Sequence, residues 1–277
     1  MSKITCVVED TLPIDRNLKN AHGVSFWIET GSKSILFDTG PDADLLAHNL
    51  AVLDLDIHRL DALALSHAHY DHTGGIAAVL PYRMGLPIFA NPDIFQPRYS
   101  LRNGDYQSIG FSYTDEKLVR KNNLKLSDQP NQIAPGLWTS GEINERPEPM
   151  GDSDHHFIRK GCSWIHDPYR DDMSLVLETD AGLVLICGCC HAGLLNTLLL
   201  VKKKFDRPIQ IVMGGTHLVS TDNIQLEHVI SILQENYPET LFYLNHCTGE
   251  TAISKLLNAF GERVKCFPAG SILEVTP

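Results

Sequence analysis

The chain has 277 residues, 43% of them hydrophobic, and its 34 acidic against 23 basic side chains give a net charge of −11. That length can bury a large core in one α/β domain; the charge repels polyanions and argues against a nucleic-acid partner, and no apolar run nears the roughly 18 residues of a membrane span. Seven cysteines, with Cys187, Cys189 and Cys190 crowded together, suit reduced thiols, and a start that reads as a strand and not a signal peptide predicts a cytoplasmic location.

The first half predicts strands at residues 4–9, 24–29 and 34–38, a helix at 44–54 and a strand at 62–66. A histidine-rich turn follows, then a helix at 75–80 and a strand at 87–90. Residues 91–170 read as an irregular, proline-rich insertion partly covering a site, because a loop that long inside a compact domain is usually functional. The second half predicts strands at 174–178 and 183–187, a helix at 192–203, a strand at 209–213, a helix at 223–235, a strand at 240–245, a helix at 251–260 and a strand at 264–267. Lys202-Lys203-Lys204 ends an apolar helical stretch and reads as a solvated helix end, not a nucleic-acid patch. The last strand, residues 271–275, can pair across a homo-oligomer interface or close a sheet.

His67-Ala68-His69-Tyr70-Asp71-His72 puts three imidazoles and a carboxylate within six residues, straight after the apolar run 60–65. Two histidines at i and i+2 on an extended segment point the same way, and Asp71-His72 on the next turn can face a second ion. Ser66-His67-Ala68-His69-Tyr70-Asp71-His72-Thr73-Gly74-Gly75 resembles the signature of the metallo-β-lactamase superfamily. His22-Gly23-Val24-Ser25-Phe26 running on to Asp38-Thr39-Gly40, Gly188-Cys189-Cys190-His191-Ala192-Gly193, Gly214-Gly215-Thr216-His217-Leu218 and His246-Cys247-Thr248-Gly249 resemble one branch of it. That branch groups the dihydropterin-methyl-(ribofuranosyl)aminobenzene phosphate synthases with related metal-dependent hydrolases.

The resemblance implies a single domain over residues 1–277, built as a four-layer αββα sandwich, and two divalent metal ions, zinc first, with manganese or iron as alternatives. It implies His67, His69 and a third histidine, taken as His191, around one ion, and Asp71, His72 and His246 around the other. Cys189 stands where many relatives carry a bridging aspartate; it either ligates as a thiolate or sits beside the metals. Asp38 is expected to orient the metal turn. His155, His156 and His166 fall in the insertion, one of them a ligand if His191 is not.

Two such ions activate water and polarise a carbonyl or phosphoryl oxygen. The expected activity is hydrolysis of a small anionic ester, amide, lactone or phosphoester by hydroxide formed on the metals, with Asp71 as proton shuttle and His217 stabilising developing charge. Glu142 and Gly249 are the substrate-binding candidates, Gly249 as the start of a helix with free N–H groups. The first alternative is a transferase joining a dihydropterin pyrophosphate to an aminobenzene partner, and the second is metal binding without catalysis.

Overall fold

The structure, a computed structural model, describes residues 1–13, 15–151 and 153–276. It opens with β1 (Ser2–Val8), β2 (Ser25–Thr30) and β3 (Lys33–Phe37), paired antiparallel in sequence. α1 (Ala43–Val52) starts at Asp42, whose side chain accepts a hydrogen bond from Leu45 N at 2.9 Å, and leads to β4 (Ala62–Ala64), parallel to β3. The single turn α2 (Tyr70–Thr73) lies within the histidine-rich turn, and only a 3₁₀ turn at Ile76–Ala78 stands where a helix over 75–80 was expected. Pro81 disfavours the helical state for the residue before it, so six residues cannot be propagated into a longer helix. β5 (Pro87–Ala90) then pairs parallel to β4.

Residues 91–170 are built rather than irregular. They hold β6 (Arg98–Arg102), β7 (Asp105–Ser108), α3 (Tyr113–Arg120), β8 (Asn123–Leu126), β9 (Gln132–Ala134), β10 (Leu137–Thr139), β11 (His156–Lys160) and β12 (Ser163–His166). The short strands and polar composition hid them from a periodicity reading, although Asn103-Gly104, both at positive φ, is the hairpin dipeptide that joins β6 to β7. The remainder is β13 (Leu175–Thr179), β14 (Gly182–Cys187), α4 (Leu194–Phe205), β15 (Ile209–Gly214), α5 (Asn223–Asn236), β16 (Leu241–Leu244), α6 (Glu250–Phe260), β17 (Val264–Cys266) and β18 (Ile272–Val275).

One seven-stranded sheet runs β18-β1-β2-β3-β4-β5-β8, a second runs β17-β16-β15-β14-β13-β10-β9, and a four-stranded sheet runs β12-β11-β6-β7. β18 therefore closes the first sheet against β1, with Ser2 opposite Val275. The period of two along β14 explains the layering: Val184 and Ile186 pack into the core between the large sheets with Phe26, Ile28 and Phe37, while Leu183, Leu185 and Cys187 face Leu198, Leu226 and Leu256 of the helices behind. Leu36 and Leu63 pack likewise against Leu46 and Leu50 of α1. The result is the four-layer αββα sandwich, with β3–β4 and β14–β15–β16 each running parallel and ending at the same edge.

Candidate metal centre

The loops that leave those parallel strands carry the site. His67, His69 and His72 follow β4; Cys189 and His191 follow β14; His217 follows β15; His246 follows β16; and Asp10 follows β1. Five of the eight non-glycine residues with positive φ among the described residues are here: Asp38, Tyr169, Cys190, His217 and His246. Such conformations cost of order 1–3 kcal/mol each and persist where the surroundings force them, so their concentration marks a functional edge.

Two donor sets converge. In the first, the rings of His67, His69 and His191 form a near-equilateral group, with centroids 4.5, 4.8 and 4.8 Å apart. The Nε2 atom of each is buried with no hydrogen-bond partner, and burial holds all three imidazoles well below their usual pKa, hence neutral with a free lone pair. In the second, His72 Nε2 lies 3.3 Å from His246 Nε2, and Asp71 Oδ2 stands 3.4 Å from each. Their other ring nitrogens are engaged: His72 Nδ1 donates to Asp38 Oδ2 at 2.7 Å and His246 Nδ1 donates to Asp10 Oδ1 at 2.7 Å. Two imidazole lone pairs and a carboxylate facing one another in a dry pocket repel unless a proton or a cation sits among them. Cys189 joins both sets, its Sγ 3.1 Å from His72 Nε2 and grouped with His67 and His191 on the other side.

The donor types therefore fit divalent metal ions, and imidazole with thiol suits zinc among them. Burial would lower the pKa of His72, yet Asp71 and Asp38 push it up to about 9, so without a cation that imidazole keeps its proton. Burial raises the Cys189 thiol well above its usual range, so a thiolate there needs a cation to stabilise it. The grouping of Asp10, His22 and His246 is an outer layer and not a third site, because Asp10 already accepts from both histidines and from Gly23 N.

Several positioning residues escaped the sequence reading. Asp171 Oδ2 accepts from Ala68 N, between His67 and His69, and Asp172 Oδ2 accepts from Ala192 N, next to His191, so one acidic dipeptide braces both ligand loops. Tyr169 stacks on His191 at 4.4 Å and an angle of 2°. His156 stands 5.0 Å from the His69 ring and lines the cleft, whereas His155 and His166 are exposed. Nothing in a bare Asp-Asp or a lone histidine signals such roles; only the β6–β11 pairing and the loop after β12 bring them in.

Asp38 accepts from Ser66 N and Ser66 Oγ at 2.7 and 2.6 Å as well as from His72, which fastens the histidine-rich turn to the end of β3. Asp38→Ala is expected to weaken zinc retention by about 10- to 100-fold, as loss of a ligand's hydrogen-bond partner does elsewhere, measured by chelator competition. Two expected substrate-binding residues lie in other surroundings. Glu142 is tied to Arg170, with Arg170 Nε 3.1 Å from Oε1, and does not line the cleft. Gly249 precedes α6 and packs against Val219: a Cβ there would stand 2.9 Å from Val219 Cα. Gly214 and Gly215 likewise admit Cys187 O and Gly188 O rather than a substrate.

The cleft over the donors measures about 120 Å³ and is lined by His22, His69, Asp71, Arg102, His156, His191, His217 and His246, among others. A larger hollow of about 450 Å³ lies between the ends of α4 and α5, but it is far poorer in metal donors, so size does not decide the site.

A model of the metallo-β-lactamase superfamily matches residues 20–141. An uncharacterised protein of Methanocaldococcus jannaschii is 30% identical over 86% of this chain and 89% of its own length. The chain belongs to the metallo-β-lactamase superfamily. Within that superfamily it is 28% identical to the 7,8-dihydropterin-6-methyl-4-(β-D-ribofuranosyl)-aminobenzene-5′-phosphate synthase of the same archaeon, over 98% of this chain and 96% of the synthase. It is also similar to the crystal structure of Tm1679, described as a metal-dependent hydrolase of the β-lactamase superfamily, with a TM-score of 0.84 and 25% identity over the whole of both chains. The superfamily's αββα scaffold thus accounts for the common edge at which the two donor sets meet. Among the described residues no helix is long and apolar enough to cross a membrane.

Proposed function

We propose that this chain is a dinuclear metal-dependent hydrolase of small anionic esters, amides, lactones or phosphoesters. The observation that carries the reading is the pairing of three buried, unpartnered Nε2 atoms on His67, His69 and His191 with the neighbouring Asp71–His72–His246 set, joined by Cys189 and open to a cleft. His67, His69 and His191 would hold one ion, Asp71, His72 and His246 the other, with Cys189 between them. Ions so placed lower the pKa of a bound water and polarise a carbonyl or phosphoryl oxygen.

The chain's own groups then divide the work. Asp71 Oδ2 stands 3.4 Å from both His72 Nε2 and His246 Nε2, and His22, whose side chain is 60% exposed, has its Nε2 3.6 Å from the same oxygen, a route for a proton between Asp71 and solvent. His217 lines the cleft with a buried, unpartnered Nδ1; burial lowers its pKa to about 4, so at neutral pH it is an uncharged group able to hydrogen-bond developing charge. Tyr169 and Gly151 O fix the His191 ring by stacking and by accepting from Nδ1 at 3.1 Å.

The end-to-end similarity to the synthase favours a second reading, condensation of a dihydropterin pyrophosphate with an aminobenzene partner. Metal content by mass spectrometry on untagged protein should give about two zinc per chain, and the hydrolase reading predicts turnover of ester, lactone or phosphoester substrates by water alone. Turnover only after an aminobenzene acceptor is added would replace it with the synthase reading. Metal-free protein of undisturbed fold would sink both.

A further inference from the structure

The strand β6 carries more than a cover for the site. Its period of two places Arg98, Ser100 and Arg102 on one face. Arg98 is fully buried, with Nη2 2.7 Å from Asp171 Oδ1 and Nε 2.9 Å from Asp167 Oδ2, so this end is fastened to the same carboxylate that braces Ala68. Ser100, 3% exposed, lies opposite His156 in the β6–β11 register. The face thus runs outward from the buried ion cluster past His156, and Arg102 is the residue at which it reaches the cleft lining.

Arg102 has no acidic partner within ion-pair distance among the described residues; its Nε meets only Ser100 Oγ at 3.4 Å. In a chain with 34 acidic side chains, Arg102 leaves a guanidinium free at the mouth of the site to meet an anion. His217 lines the same cleft, and its buried Nδ1 has no hydrogen-bond partner among the described residues, so a second polar group there is left to meet an anion. The cleft, about 120 Å³, has room for a phosphoryl group.

We propose that Arg102 anchors a phosphoryl group of the substrate at this cleft, which makes the substrates phosphorylated small molecules. A guanidinium fork from the small sheet and an imidazole nitrogen from the second large sheet offer donors on separate scaffolds, an arrangement suited to a tetrahedral oxyanion. The assignment rests on the cleft being the metal-dependent active site, and it narrows the substrate class for that site.

The test is calorimetric titration of the zinc-loaded full chain with inorganic phosphate. Arg102→Ala is expected to raise Kd about tenfold, the scale of one partly solvated charge-assisted pair. Arg102→Lys, which keeps the charge but loses the fork, should fall between, and Arg159→Ala, a cation of the same small sheet outside the cleft lining, should change Kd less than about twofold. Wild-type protein that fails to bind phosphate, Arg102→Ala within about twofold of wild type, or an equal loss in Arg159→Ala would each overturn the proposal. Zinc content and ester turnover are read separately. Lost phosphate binding in Arg102→Ala with no hydrolysis by wild type keeps the anchor and sinks the hydrolase reading, and hydrolysis with an unchanged phosphate Kd does the reverse.

Discussion

Arg98→Met is expected to destabilise the folded chain by about 3–5 kcal/mol, the cost of leaving buried carboxylates without their counter-charge. Arg98 is fully buried, and Asp167 and Asp171, 4% and 0% exposed, both depend on it. Burial pushes the Asp171 carboxyl up to about 7, with Arg98 opposing, so removal of the guanidinium drives it higher still. A carboxyl whose folded pKa lies above its unfolded value favours folding at low pH and loses that contribution as pH rises through the folded value. The deficit of Arg98→Met should therefore be smaller at pH 5 than at pH 8, with a melting temperature lower by roughly 10 °C at neutral pH. Equal deficits at both pH values would show that the ion cluster is not what holds this region. Because Asp171 also accepts from Ala68 N, zinc retention should fall along with stability.

That cluster also shows where a sequence stops being legible. The sandwich could be read because its strands are short apolar runs with helices between them, and the expected strand at 87–90 coincides with β5. The cluster His67, His69, Asp71 and His72 was equally plain, since the four sit within six residues. The contacts that brace the site come from afar: Asp10 reaches His246 across 236 positions and Asp171 reaches Ala68 across 103. A lone aspartate carries no pattern, so contacts of that span emerge only once the sheets are stacked. Residues 91–170 failed for a different reason. β7 and β8 are mostly exposed on both faces, so neither shows the alternation that a half-buried strand needs, and the hairpin bearing Arg102 read as loop. The pairing of Glu142 with Arg170, 28 positions away, is another contact that no local pattern announces.

Substitution of His72 is expected to have the largest effect on activity. His72→Ala removes the nitrogen that faces His246 Nε2 at 3.3 Å and Cys189 Sγ at 3.1 Å, and it also leaves Asp38 without the imidazole that it holds at 2.7 Å. Asp38 retains its bonds from Ser66, so the turn keeps its path while the second donor set falls to Asp71 and His246. Zinc should drop from about two toward one per chain, with His67, His69 and His191 retaining theirs. Turnover should fall on the order of a thousandfold, because a metal's stabilisation of transition-state charge amounts to several kcal/mol at tenfold per 1.36 kcal/mol. Cys189→Ser separates two roles that the geometry leaves together: the thiol lies within reach of both donor sets, so a true shared ligand should cost both ions affinity, whereas a neighbour of the metals should leave zinc content unchanged. Acid should act on the second set first, since His72, raised to about 9 by Asp71 and Asp38, competes with the ion for its proton, whereas the first set is held neutral by burial. Metal content followed from pH 8 to pH 5 should accordingly fall in two steps, and a single step with both ions lost together would mean that Cys189 couples the two sets into one.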